Sequence, residues 1–232
     1  MQPLNKMKRI SGYISKATWL LLTLVVLSLP LSGQDPDTLR TFGPRIGLDL
    51  AKFLYYFSEP AEYGAEISGD FEIYKNIFPV IELGYSNMSD TTDLFDYASS
   101  GTYARLGVDY NVLPMKDRST HHSITVGVRY GLSVFSQRTE NMYIDNAYWG
   151  DVVVDSYESS LRGHWFELVG GIKAEVLPNL FLGWMVRFKF LLNPDMDPNV
   201  TPALVPGYGN AANGRGFGFT YTIAYKIPLF KN

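Results

Sequence analysis

Three observations predict an all-β fold, a transmembrane antiparallel up-and-down β-barrel of eight strands. About eight segments alternate apolar and polar residues with period two, short connections alternate with long ones, and no stretch after the N-terminal region is apolar for ~18 residues. Aromatic residues make up 15% of the 232, with 16 Tyr and 14 Phe. That richness suits a wall with aromatic girdles. Mean hydropathy is only -0.04, as expected when each strand has one polar face.

The chain opens with Lys6, Lys8, Arg9 and Lys16, then an apolar run over 17–31 that Pro30 ends, then Leu31-Ser32-Gly33. Basic flank, short apolar core and small residue read as a signal peptide over 1–33, cleaved before Gln34. A retained anchor is the competing reading, disfavoured by the shortness of the run. A polar periplasmic lead follows over 34–44, and the barrel takes 45–232. Residues 1–33 hold four of the 20 bases and none of the 23 acids, so the mature chain has 16 bases against 23 acids, a net charge of -7. That balance argues against nucleic acid as a partner. The absence of cysteine excludes disulfides and thiolate chemistry.

The first segment, 45–53, sets Ile46, Leu48 and Leu50 against Arg45 and Asp49. The second, 64–74, sets Ile67, Phe71 and Ile73 against Glu66, Asp70 and Glu72. The third, 79–87, opposes Ile81, Leu83 and Tyr85 to Glu82. The fourth, 101–113, opposes Leu106, Val108 and Tyr110 to Arg105 and Asp109. The fifth is the most regular, with six apolar residues from Ile124 to Val134 interleaved with Gly, Ser, Thr and Arg129. The sixth, 164–176, carries Glu167, Lys173 and Glu175 on its polar face. The seventh carries Arg187 and Lys189 opposite Trp184 and Phe188. The eighth, 216–228, lines up Phe217, Phe219, Tyr221 and Tyr225 opposite Lys226.

The connections decide between a soluble sandwich and a membrane barrel. Those at 75–78, 114–121 and 177–179 are short, and those at 54–63, 88–100, 137–163 and 193–215 are long. Short periplasmic turns alternating with long surface loops are the outer-membrane pattern, and both termini then lie in the periplasm.

Eight strands enclose a bore that side chains just fill. The polar faces supply seven bases (Arg45, Arg105, Arg129, Lys173, Arg187, Lys189, Lys226) and eight acids (Asp49, Glu66, Asp70, Glu72, Glu82, Asp109, Glu167, Glu175). Such balance predicts a paired lumen charge network, because an unpaired buried charge is costly. A solute path is the alternative, and the narrow bore opposes it. No cofactor or metal is expected. His121 and His122 read as a solvated turn. His164 near Glu158, Ser159 and Ser160 is the one constellation with the residue types of a rim hydrolase, and sequence neighbours alone do not make a triad. Asn193, Asp195, Asp197 and Asn199 offer oxygen ligands for Ca²⁺ without the glycine pattern of a calcium loop, so a solvated loop is the expectation.

The long connections hold twelve acids against three bases (Arg138, Arg162, Arg215), together with Tyr143, Tyr148, Trp149, Tyr157 and Tyr208. Exposed aromatics favour protein interfaces. Tyr143, Tyr148, Trp149 and Tyr157 are therefore the candidate partner-binding set.

Four stretches, YARLGVDYNVL (103–113), VGVRYGLSVFSQ (126–137), GHWFELVGGIKAEVLPNLFLGWMVRFKFLL (163–192) and PGYG followed by FGFTYTIAYKIPLFK, resemble a family of small outer-membrane barrels of Bacteroidota known as a domain of unknown function. The resemblance implies a barrel in the outer membrane and supplies no catalytic residue. It also implies an accessory part in a larger machine for barrel assembly, surface-lipoprotein export or secretion. The partners expected are outer-membrane lipids and a larger barrel or surface lipoproteins. A free-standing, adhesin-like binder is the second expectation and a lipid-modifying enzyme the third.

Overall fold

The computed structural model describes residues 41–52, 62–91, 96–113, 122–144, 152–198, 200–211 and 213–231. The expected signal peptide and most of the expected lead lie outside the described residues. Among the described residues twelve strands are formed in chain order: β1 (Thr41–Phe42), β2 (Arg45–Asp49), β3 (Glu62–Asp70), β4 (Ile77–Thr91), β5 (Asp96–Asn111), β6 (Ser123–Ile144), β7 (Val152–Leu177), β8 (Leu180–Leu191), β9 (Leu204–Val205), β10 (Gly209–Asn210), β11 (Arg215–Lys226) and β12 (Phe230–Lys231). Eight of them close an antiparallel barrel in the order β11-β2-β3-β4-β5-β6-β7-β8. The seam is β11 against β2, with Thr222 opposite Asp49 and Lys226 opposite Arg45. Just beyond it, β1 pairs with β12, so part of the expected lead is sheet.

The wall is inverted relative to a soluble protein. On β6, Ile124, Val126, Val128, Tyr130, Leu132 and Val134 point outward with exposures of 41–59%. Ten residue steps at ~3.4 Å, tilted by ~40°, make this belt roughly 25 Å tall, the height of a bilayer's apolar band. Ser136, Arg138 and Glu140 continue the same row above it. Among the described residues no helix is long and apolar enough to cross a membrane.

Several expected boundaries move, each for a local reason. The first strand stops at Asp49, whose carboxylate accepts the Ala51 N–H at 2.8 Å and starts a helical turn at 50–52. Leu50 therefore leaves the apolar row. The second strand stops at Asp70. Glu72 sits in the following turn, where its carboxylate accepts the Asn76 N–H at 3.2 Å. Glu175 does the same for Asn179 at 2.6 Å, and both asparagines hold φ of 66°. Glu72 thus serves the turn beyond the end of β3. The largest difference is the expected loop at 137–163. It is a β-hairpin, paired from Gln137↔Ser159 up to Ile144↔Val152.

Inward positions follow a size rule set by the narrow bore. Tyr103 lies opposite Gly84, Phe135 opposite Gly101, Arg129 opposite Gly107 and Trp165 opposite Gly131. A Cβ on Gly131 would stand 2.2 Å from a Trp165 ring carbon, and one on Gly84 would stand 2.3 Å from Tyr103. A closed barrel of this kind should migrate differently on a gel before and after boiling, with a far-UV spectrum dominated by strand. Identical migration would contradict closure.

Candidate functional site

The lumen is built in layers. Nearest the short turns, Asp70 of β3 receives Arg45 Nε at 2.6 Å and Lys173 Nζ at 2.9 Å, and Lys173 also reaches Asp109 at 3.4 Å. β3 and β7 are diametrically opposed in the strand order, so the Lys173–Asp70 pair crosses the bore. The Arg45 guanidinium stacks on Phe78 at 4.7 Å, and the Lys226 ammonium lies 5.4 Å from the Phe181 ring.

The middle layer centres on Glu82. Arg187, from the opposite strand, approaches it in a fork at 2.8 and 3.0 Å. Arg105 and Arg129 reach the same carboxylate at 2.9 and 3.4 Å. Arg105 also pairs with Glu66 and Glu167, each at 3.0 Å, and Arg129 pairs with Asp109 at 2.7 Å. Bidentate guanidinium–carboxylate geometry is the strongest form of such a pair. Here it also bars the bore from wall to wall. The gap between this layer and the one below is a cavity of about 20 Å³ lined by Arg45, Glu66, Asp70, Glu82, Lys173 and Arg187, about the space one water needs.

The upper layer is apolar, and the sequence reading did not anticipate it. Tyr103, Phe135, Leu161 and Trp165 from the wall pack against Val205, Tyr208 and Ala211 from the segment between β8 and β11. That segment folds back into the mouth as a cork. β9 and β10 form a minimal hairpin, with the Tyr208 N–H donating to Val205 O at 3.0 Å across Pro206-Gly207. Gly207 has φ of 80°, as the third residue of a type II turn requires. Two wall cations hold the turn: Arg105 donates to Gly207 O at 2.7 Å, and Lys189 donates to Gly207 O and Tyr208 O at 2.9 Å. Higher up, Gln137 donates to Asp197 Oδ2 at 3.1 Å and Val200 O at 2.9 Å, and Tyr157 donates to Asp197 at 3.0 Å.

These contacts revise several expectations. The loop carrying Asp197 is solvated only in part: Asp195 is exposed as expected, Asp197 is buried and receives Tyr157 and Gln137, and Asn199 lies outside the described residues. Tyr208 is 2% exposed and belongs to the cork rather than to an outer crown. Tyr157 is half-buried and turned toward the cork. Tyr148 and Trp149, and the side chain of Tyr143, lie outside the described residues. His121 also lies outside them. The His164 ring faces Tyr130 OH at 3.1 Å on the outer wall, while Ser160 Oγ faces Ser136 Oγ at 3.4 Å. Four residue steps along the strand, about 13 Å, separate His164 from Ser160, so the rim constellation is not assembled. Asp49, Glu66, Glu82, Arg105, Asp109, Arg129, Glu167, Lys173, Glu175, Arg187, Lys189, Lys226 and Arg45 are buried, and Asp70 nearly so. The missed members Tyr103 and Trp165 share strand parity with Arg105 and Glu167, and that was the signal for them.

The described residues fill such a bore from the lower charge layer to the cork. Protein reconstituted in a planar bilayer should carry no steady current, and a reproducible conductance step would overturn the closed-lumen account.

An apolar belt outside, a charge-paired interior and full closure define an outer-membrane-type eight-stranded barrel with a filled bore. The chain belongs to the family described as Domain of unknown function (DUF6048), whose model matches residues 10–232. No curated protein matches it. Among solved structures it is similar to the crystal structure of Neisserial surface protein A (NspA), at 10% identity over 80% of this chain and 96% of that one, with a TM-score of 0.39.

Proposed function

We propose that this chain is an exported barrel of a Bacteroidota outer membrane that acts through its surfaces, as a non-enzymatic accessory or scaffold subunit of an outer-membrane complex for barrel assembly, surface-lipoprotein export or secretion. On this reading the long-connection end faces outward, and the partner is a larger barrel or a surface lipoprotein. The observation that carries it is the β6–β7 hairpin, which continues some ten residues past the apolar belt with its strands paired up to Ile144↔Val152. A stiff arm built beyond the membrane, on a barrel whose bore is occupied, favours contact over transport.

The test is gentle detergent extraction followed by native mass measurement. Wild type should co-migrate with a larger barrel or lipoprotein at fixed stoichiometry. Replacing 141–160 with a short Gly/Ser linker should leave the heat-dependent gel shift intact and abolish that association. A detergent-bound monomer alone would sink this reading. It would favour a free-standing, adhesin-like binder, for which the excess of acids in the long connections speaks.

A further inference from the structure

The upper part of β7 is an open sheet edge. β7 pairs with β6 up to Val152, but with β8 only as far as Trp165↔Leu191. The chain leaves β8 and turns inward to form the cork, so no strand among the described residues lies beside β7 above that level. The Asn193 side chain ends the ladder: its Oδ1 accepts the His164 N–H at 2.9 Å and its Nδ2 donates to Arg162 O at 2.8 Å, while the Leu192 N–H donates to His164 O at 3.0 Å. These bonds place the backbone groups of the even-numbered residues on the β8 side, and the alternation of an antiparallel ladder extends that rule upward. Ser156, Glu158 and Ser160 therefore present their N–H and C=O groups along the open edge, with exposed side chains. Native proteins usually blunt such edges with proline, lysine or a bulge. Ser156–Ser160 has no proline, lysine or bulge, and its one charge is Glu158.

We propose that this edge is a docking site for an extended, basic segment of another protein, which adds to it as a strand. The inference rests on the surface-acting reading above. Backbone pairing would supply affinity and the side-chain row would supply selection. The expected sign follows from charge: the connections at this end hold twelve acids against three bases, and with the Arg138–Glu140 pair and the buried Asp197 set aside ten acids face two bases, one of which, Arg162, lies at the foot of the edge. A second copy does not fit. Two barrels in one membrane point the same way, which forbids antiparallel pairing, and strands tilted by about 35–45° would cross at about 70–90° on rotation about the membrane normal.

The probe is an eight-residue peptide alternating Lys with Thr or Val, added to the mature protein in nanodiscs. Amide exchange at Ser156, Glu158 and Ser160 should slow at least tenfold, with Tyr157 and Ser159, which face β6, unchanged. The same peptide with Glu for Lys should have no effect. Ser160→Pro removes an edge donor without touching the β6 ladder and should weaken binding at least tenfold. Glu158→Lys leaves the backbone intact and should weaken it likewise. Edge amides already protected without peptide, equal protection by both peptides, or no protection by the Lys peptide would each overturn the proposal. Partner co-purification without edge protection leaves the subunit reading standing and removes this one. Edge protection in a protein that purifies alone does the reverse.

Discussion

Glu82→Leu should cost the barrel roughly 3–5 kcal/mol, the range for removing one member of a buried ion-pair set. Glu82 receives Arg105, Arg129 and Arg187 at once, and all four side chains are almost wholly buried. Leucine leaves three guanidiniums to share Glu66, Glu167 and Asp109, and nothing in a closed bore replaces the lost carboxylate. The midpoint of urea-induced loss of the unboiled gel band should fall accordingly. Replacing Glu82 and Arg187 together by leucines should recover part of the loss, because the facing pair is then removed whole. Arg138→Ala, which breaks the exposed pair with Glu140, should shift stability by no more than about 1 kcal/mol. A Glu82→Leu protein as stable as wild type would refute the interior network as the source of the barrel's stability.

Trp165→Ala should cost a similar amount, roughly 3–5 kcal/mol for a fully buried indole, and should in addition loosen the cork. The ring covers Gly131, donates through Nε1 to Glu167 at 2.6 Å, and meets Tyr208 edge-on with centroids 5.9 Å apart. Its removal takes away the ring against which Tyr208 of the cork packs, while Tyr103 stays against Gly207. Protease added to intact cells should then cut within 193–214 at a dose that spares wild type. Trp165→Phe should fall between the two. A variant whose cork resists cleavage as wild type does would show that the remaining contacts hold the cork without Trp165.

The membrane-spanning part of this fold was legible because a bilayer enforces the period-two contrast. Where lipid stops, the contrast stops. Above Val134 the outward row becomes Ser136, Arg138 and Glu140, and a hydrophobicity pattern reads that as loop although the ladder continues. The remaining signal was composition: Thr139, Tyr143 and the run Val152-Val153-Val154 favour strand. The charged lumen residues could be read from parity. Tyr103, Phe135 and Trp165 share that parity, but in an alternating pattern an apolar residue reads as lipid-facing. The cork was hidden for a different reason. Acids and asparagines at 193–199 suggest solvent, whereas Pro202, Val205, Pro206 and Tyr208 behind them are almost entirely buried. The turn role of Glu72 was not legible, because alternation alone does not mark where a strand ends and a carboxylate begins to serve a turn.

The seam between β2 and β11 sets a kinetic order. β2 contributes only Arg45–Asp49, and its partners on one side, Thr222–Lys226, come from the far end of the sequence. Loop-closure entropy must be spent across almost the whole chain before these five pairs return anything. The neighbouring hairpins of β4 through β7 are local in sequence and have the longest ladders. They can therefore form as a curling sheet while both lateral edges stay unsatisfied. Ring closure is then the step expected to come last, since it closes the largest loop for only five pairs.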